Sequence, residues 1–332
     1  MYNQNKFFIF ISLSVLAVLV FLFALASGSN DISFAECLKA LFGKGSEDAA
    51  MIIKSIRFPR VLAAMIVGAG LAASGCVFQG ILRNPLAEPF TLGVSGGAAF
   101  GASLAFLFKL SSLSAFFVPL CSFAGSVISV SAVYILSGRK RFDSNAMILS
   151  GVVISYVFSS AVMLVYSLFS AAQIQAAFVW LMGDFSMIDE RLFFVVGAII
   201  ILGTIFLCLS GNIINAVSLG NEKSKTIGVE SERAVKIIFL TASLIAACAV
   251  SVCGVIGFVG LMMPHIMRKI IGANHLTLIP ASALLGASFL PLCDAVARTA
   301  AAPVMLPVGV ITGIFGGIFF MFLLLKTRDI NG

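Results

Sequence analysis

Apolar runs of about 20 residues recur through this chain from end to end, and no polar stretch between them is long enough to fold as a water-soluble domain. Nine segments, residues 7–26, 61–81, 92–108, 115–136, 147–169, 192–209, 237–255, 278–296 and 306–325, meet or approach the length a helix needs to cross a bilayer. Backbone groups in lipid have no water to bond, so helices that satisfy their own backbone are the expected solution. Composition agrees: of 332 residues, 60% are apolar and 11% charged, with a mean hydropathy of +1.12. A soluble domain carries about a quarter charged residues. These proportions exclude a soluble enzyme with a single anchor, a nucleic-acid-binding module and a disordered chain. The expected fold is an all-α integral membrane protein forming one transmembrane domain over residues 1–332.

A tenth segment, 256–266, is apolar but short, and Gly257, Gly260 and Pro264 interrupt it. With ten crossings and the N-terminus inside, the cytoplasmic loops collect 13 of the 21 basic residues, including Lys6, the run Arg139-Lys140-Arg141, Lys326 and Arg328. Cytoplasmic loops carry the excess of Lys and Arg, so ten spans with both termini cytoplasmic are expected. Nine would leave Lys326 and Arg328 outside. The first run ends in Ala24-Leu25-Ala26, a pattern seen at signal-cleavage sites, but it is longer than the apolar core of a signal peptide and reads as a retained helix. Gly93, Gly97 and Gly101, and again Gly309, Gly313 and Gly317, recur at four-residue spacing. Such stripes let helix backbones approach closely in lipid.

Four places carry polar groups that the bilayer does not demand. Arg57-Phe58-Pro59-Arg60 lies at the outer mouth of the second span, where two arginines suit either an acidic partner or lipid phosphates. Arg83-Asn84-Pro85-Leu86-Ala87-Glu88-Pro89 forms the next inner turn, stiffened by its prolines, and reads as a plain turn or as a constriction of a pathway. The longest inner loop, 211–236, is amphipathic and broken by Gly220 and Gly228 into two short helical pieces, suited to docking a soluble partner or to lying on lipid. Asp294 and Arg298 stand four apart on one helix face, the spacing of an ion pair. No catalytic or metal site is expected. The seven cysteines follow no ligand or disulfide spacing and read as small hydrophobes. His265 and His275 lack companions for a metal, and no Gly-rich phosphate loop is present.

Taken in order, these motifs resemble the permease subunits of the bacterial importers for iron-siderophore, haem and vitamin B12, the type II ABC importer permeases. The matching pieces are the Arg57 to Arg60 motif, VGAGLAASGCVFQGILRNPLAEPFTLGVSGGAAFGA, SLGNEKSKTIGV, GVIGFVGLMMPHIMR and LPVGVITGIFGG. The resemblance implies ten helices per subunit, with spans 2–5 and 7–10 related as an inverted repeat, and pairing with a second copy or a paralogue. It implies that Arg57, Arg60 and Arg298 face an extracytoplasmic binding protein. It places Ser218, Leu219, Gly220, Asn221, Glu222, Lys225 and Gly228 in coupling helices seated on a cytoplasmic ATPase dimer, which binds ATP and Mg. It also makes Asn84, Pro85 and Leu86, with Ser144 and Asn145, the inner constriction. The implied setting is the bacterial cytoplasmic membrane, and the implied cargo an iron-siderophore or haem, with vitamin B12 as the alternative. The sequence departs from the family pattern at Met305, where an acidic residue is usual, and at Ile318, where a proline is usual. An ion-coupled secondary transporter is the rival from another class; it would bury ionisable groups at mid-membrane, and no span marks one clearly.

Overall fold

The computed structural model describes residues 2–28, 33–41, 43–138, 144–186, 188–219 and 231–328, and every regular element among them is helical. In chain order these are α1 (Tyr2–Ala26), α2 (Phe34–Leu41), α3 (Glu47–Met51), α4 (Phe58–Ile81), α5 (Val94–Leu107), α6 (Phe117–Leu136) and α7 (Ser144–Ser167). There follow α8 (Ala171–Leu181), α9 (Glu190–Leu209), α10 (Gly211–Ser218), α11 (Ser231–Cys253), α12 (Val259–Ile271), α13 (His275–Thr299) and α14 (Val308–Arg328). Among the described residues, eight helices are long and apolar enough to cross a membrane: α1, α4 with the turns that lead into it, α6, α7, α9, α11, α13 and α14.

The two remaining expected crossings are short helices entered through irregular backbone. Glu88 and Thr91 cap a 3-10 turn at Pro89–Leu92 reciprocally, and Gly93 then adopts a left-handed conformation (φ +82°), so α5 starts only at Val94 and runs 14 residues. The chain likewise leaves α11 at Gly254 (φ +73°) and runs without helix to Phe258 (φ +68°), so α12 is 13 residues long. It continues past the expected boundary to Ile271. The sequence reading did not foresee α2, α3 or α8, nor the π-helical turn Ile52–Arg57 that runs into α4.

α4 is the hub of the bundle. Residues 70–82 are all buried, and the helix packs against α13, α11, α9, α12 and α10. Its small residues make this possible. A Cβ on Gly68 would land on the carbonyl of Gly286 in α13, and one on Gly75 on the carbonyl of Gly260 in α12. With no hydrophobic drive between helices in lipid, such backbone contact supplies the packing energy. Gly97 and Gly101 do the same for α5, against Gly125 and Cys121 of α6, and the Ser129 hydroxyl donates to the carbonyl of Gly93 at 2.7 Å. The second stripe is used only in part. Gly309 packs on the carbonyls of Met182 and Val255, but open space surrounds the positions a Cβ would take on Gly313 and Gly317. The reason is that α14 lies at the edge of the bundle and meets its neighbour through Gly316, beneath the Phe258 ring. α14 is helical through Ile318.

Candidate functional site

At the end of the bundle where α4 begins, α13 ends and the connection from α1 emerges, three arginines converge. Arg57 closes the π-helical turn and Arg60 lies one turn later, with Pro59 at the start of α4. Both are buried, as is Arg298. Asp294, wholly buried, sits between Arg60 and Arg298: its Oδ1 accepts from Arg60 Nε at 2.9 Å and lies 2.8 Å from Arg60 Nη2, while its Oδ2 lies 2.9 Å from Arg298 Nε. Arg60 Nη2 also reaches Asp184, 27% exposed, at 3.2 Å. Arg298 donates to the carbonyls of Ala24 (2.9 Å) and Ser27 (2.7 Å), and Arg57 to those of Leu25 (3.0 Å) and Ala26 (2.8 Å). These carbonyls end α1, where the helix leaves acceptors unpaired and its dipole favours cations.

This arrangement changes the expected picture of arginines presented outward. In this conformation the three guanidinium groups turn inward, because a buried cation is far less costly when a carboxylate and carbonyls hold it. The ion pair expected between Asp294 and Arg298 is present, but as part of a larger cluster. Asp184 was missed, since it stands in a short connection with no pattern around it. Its carboxylate accepts from the Ser186 amide (3.0 Å) and hydroxyl, and its own amide donates to the carbonyl of Cys253. At Met305, where the resemblance expects an acidic residue, the thioether lies 3.9 Å from Arg60 Nη1.

At the other end of α4, Asn84 folds the following turn by accepting the Leu86 amide at 2.9 Å. Pro85 and Leu86 are exposed. Ser144 and Asn145 open α7, and two turns further along, Gly151 packs against the carbonyl of Thr91. The two expected constriction pieces are therefore linked through the 3-10 turn and α7. Gln79, buried in α4, donates to the carbonyls of Gly260 (3.4 Å) and Leu261 (3.3 Å). Glu88 accepts the amide of Phe258, the residue just before α12, and burial pushes its carboxyl up to about 7 against the lowering effect of that amide.

Of the expected coupling residues, Ser218 ends α10 and the exposed Leu219 follows it. Gly220, Asn221, Glu222, Lys225 and Gly228 lie outside the described residues, as does the run Arg139-Lys140-Arg141. Among the described residues no group of three His, Cys, Asp or Glu side chains is placed to share a metal ion.

Comparison with known proteins identifies the family of this bundle. The sequence profile of the FecCD transport family matches residues 16–326. The hemin transport system permease protein HmuU of Yersinia pestis is 34% identical over 96% of this chain and 96% of its own length. The cobalamin import system permease protein BtuC of Halobacterium salinarum is 39% identical over 86% of this chain and 76% of its own. A solved structure described as an inward-facing conformation of a metal-chelate type ABC transporter superimposes with a TM-score of 0.84 at 29% identity. It covers 98% of this chain and 100% of that one. With the profile spanning the first helix to the last and the bundle shared over nearly its whole length, this chain belongs to the FecCD transport family of ABC importer permeases.

Proposed function

We propose that this chain is the membrane-spanning subunit of an ATP-driven importer for a metal chelate of the iron-siderophore or haem class. The observation that carries this reading is the superposition, over 98% of the chain, on a metal-chelate type transporter. In this proposal the chain does no chemistry on ATP; a separate cytoplasmic ATPase dimer binds ATP and Mg, and an extracytoplasmic binding protein delivers the cargo. The chain forms one domain in the bacterial cytoplasmic membrane and works beside a second copy or a paralogue. Its ten crossings are the eight long helices with α5 and α12, and both termini are cytoplasmic. The recurrence of a long helix, a short one entered through irregular backbone, and two more long ones in α4–α7 and again in α11–α14 supports the inverted repeat.

Docking of the binding protein falls to the cluster of Arg57, Arg60 and Arg298. Asp184 is the one carboxylate there with appreciable exposure, so an incoming carboxylate competes first for Arg60. Asn84, Pro85, Leu86, Ser144 and Asn145 narrow the inner end of the path, and the loop beyond Ser218 carries the ATPase contact. Cobalamin is the second reading for cargo, favoured by the 39% identity to the Halobacterium permease.

The test is reconstitution of the full chain in proteoliposomes with its proposed ATPase and binding protein. A ferric hydroxamate, haemin and cyanocobalamin are then offered in turn. ATP-dependent accumulation of a ferric hydroxamate or haemin is expected. Accumulation without ATP, or without the ATPase, overturns the proposal in favour of an ion-coupled carrier.

A further inference from the structure

The inner end of α13 is tied to α10, the first piece of the expected coupling loop, by a set of polar contacts that the sequence did not mark. α10 lies across the start of α13: a Cβ on Gly211 would meet the backbone of His275 and Leu276. One turn later Asn215 Oδ1 accepts the His275 amide at 2.8 Å and faces His275 Nδ1 at 2.8 Å, while Asn215 Nδ2 donates to Asn274 Oδ1 at 2.9 Å. Asn274 is itself the N-cap of α13, accepting the Leu276 amide. Ser218, on the same face of α10, donates to the carbonyl of Gly80 near the end of α4. The fit is close, because a Cβ on Gly80 would crowd both Ile214 of α10 and the His275 ring. An acceptor facing Nδ1 assigns the proton to that nitrogen and leaves Nε2 as the acceptor of a neutral ring, which suits a buried imidazole.

We propose that Asn215, Asn274 and His275 form the joint through which movement of the coupling segment reaches α13. The residues are positioning residues: they act through α13 and touch neither ATP nor cargo. α13 is one helix of 25 residues, about 37 Å long. Its far end bears Asp294 and Arg298, and its middle is locked backbone to backbone on α4 at Gly286 and Gly68. A displacement applied at Asn215 is therefore carried toward the outer arginine cluster along one continuous helix, with Pro280 and Pro291 inside it, that is held at its inner end, its middle and its outer end. Van der Waals contact alone permits α10 to slide along α13. The paired hydrogen bonds to side chain and backbone fix both register and rotation.

This inference rests on the proposed importer function, and the experiment separates the two. The full chain is reconstituted with its ATPase and binding protein, and uptake per ATP hydrolysed is measured with whichever of ferric hydroxamate, haemin or cyanocobalamin the wild-type complex accumulates. If the wild-type complex accumulates none of them with ATP, the functional proposal fails, and the joint with it. Asn215→Ala is expected to lower uptake per ATP roughly tenfold, while co-purification of the ATPase and its basal hydrolysis stay near wild type. Asn215→Asp, which keeps the acceptor for both His275 donors but loses the Nδ2 donor to Asn274, is expected to recover only part of the loss. If Asn215→Ala does not fold, His275→Phe, which keeps an aromatic ring and the backbone amide but removes both ring nitrogens, the Nδ1 donor among them, is expected to show the same uncoupling. Wild-type uptake per ATP in the folded variant overturns the joint. So does a loss of uptake matched by an equal loss of ATPase association.

Discussion

Asp294 shows how one side chain decides the behaviour of several others. It is fully buried and bonded to Arg60 and Arg298, so its removal leaves two buried cations without their shared counter-ion. Breaking a buried pair in this way costs about 3–5 kcal/mol. Asp294→Ala is therefore expected to lower the thermal unfolding midpoint in detergent sharply; a midpoint near wild type would show that the cluster does not hold this end of the bundle together. Glu88 gives a pH prediction. Its carboxyl is raised from 4.5 to about 7, so the folded state binds the proton more tightly than the unfolded one. The resulting stabilisation is complete below the unfolded value and is lost as pH rises through the folded one. Unfolding midpoints are expected to fall between about pH 5 and about pH 8, and Glu88→Gln to flatten that slope.

Among elements, the glycine contacts separate helices that cannot move apart from a helix that has room. Gly68 and Gly286 bring α4 and α13 into backbone contact. Gly68→Ala inserts a methyl where there is no space and is expected to cost about 1–3 kcal/mol, read as a lower unfolding midpoint. Gly313→Ala enters open space and is expected to leave the midpoint of the single chain within about 0.5 kcal/mol of wild type. The two stripes look alike as residue spacings, Gly93-Gly97-Gly101 and Gly309-Gly313-Gly317. Only their neighbours distinguish them: α5 is enclosed by α6 and α7, whereas α14 runs along the edge.

For the whole molecule, the proposed topology predicts labelling. A cysteine at the exposed Leu113, between α5 and α6, is expected to react with a membrane-impermeant maleimide in intact cells. One at Lys326 is expected to react only after the membrane is opened; the reverse pattern would invert the orientation. Much of this architecture was legible in sequence. Apolar length alone marks eight of the long helices, because a bilayer imposes that length wherever a segment crosses. The motif at 57–60 and the Asp294–Arg298 spacing marked the arginine cluster, and the amphipathic break after residue 210 marked α10. Tertiary structure decided what those residues do. Arg60 meets Asp294 across 234 positions of chain, and Asp184 joins them from a loop without pattern. Asn215 finds Asn274 and His275 some sixty residues away. Apolarity also did not place the start of either short helix, since the left-handed Gly93 and the non-helical stretch from Gly254 to Phe258 are as apolar as the helices they precede. Hydropathy is a property of each segment and its solvent, so the sequence determines it locally. Pairing of buried charges, close backbone contact and helix breaks depend on what packs opposite, which only the assembled bundle supplies.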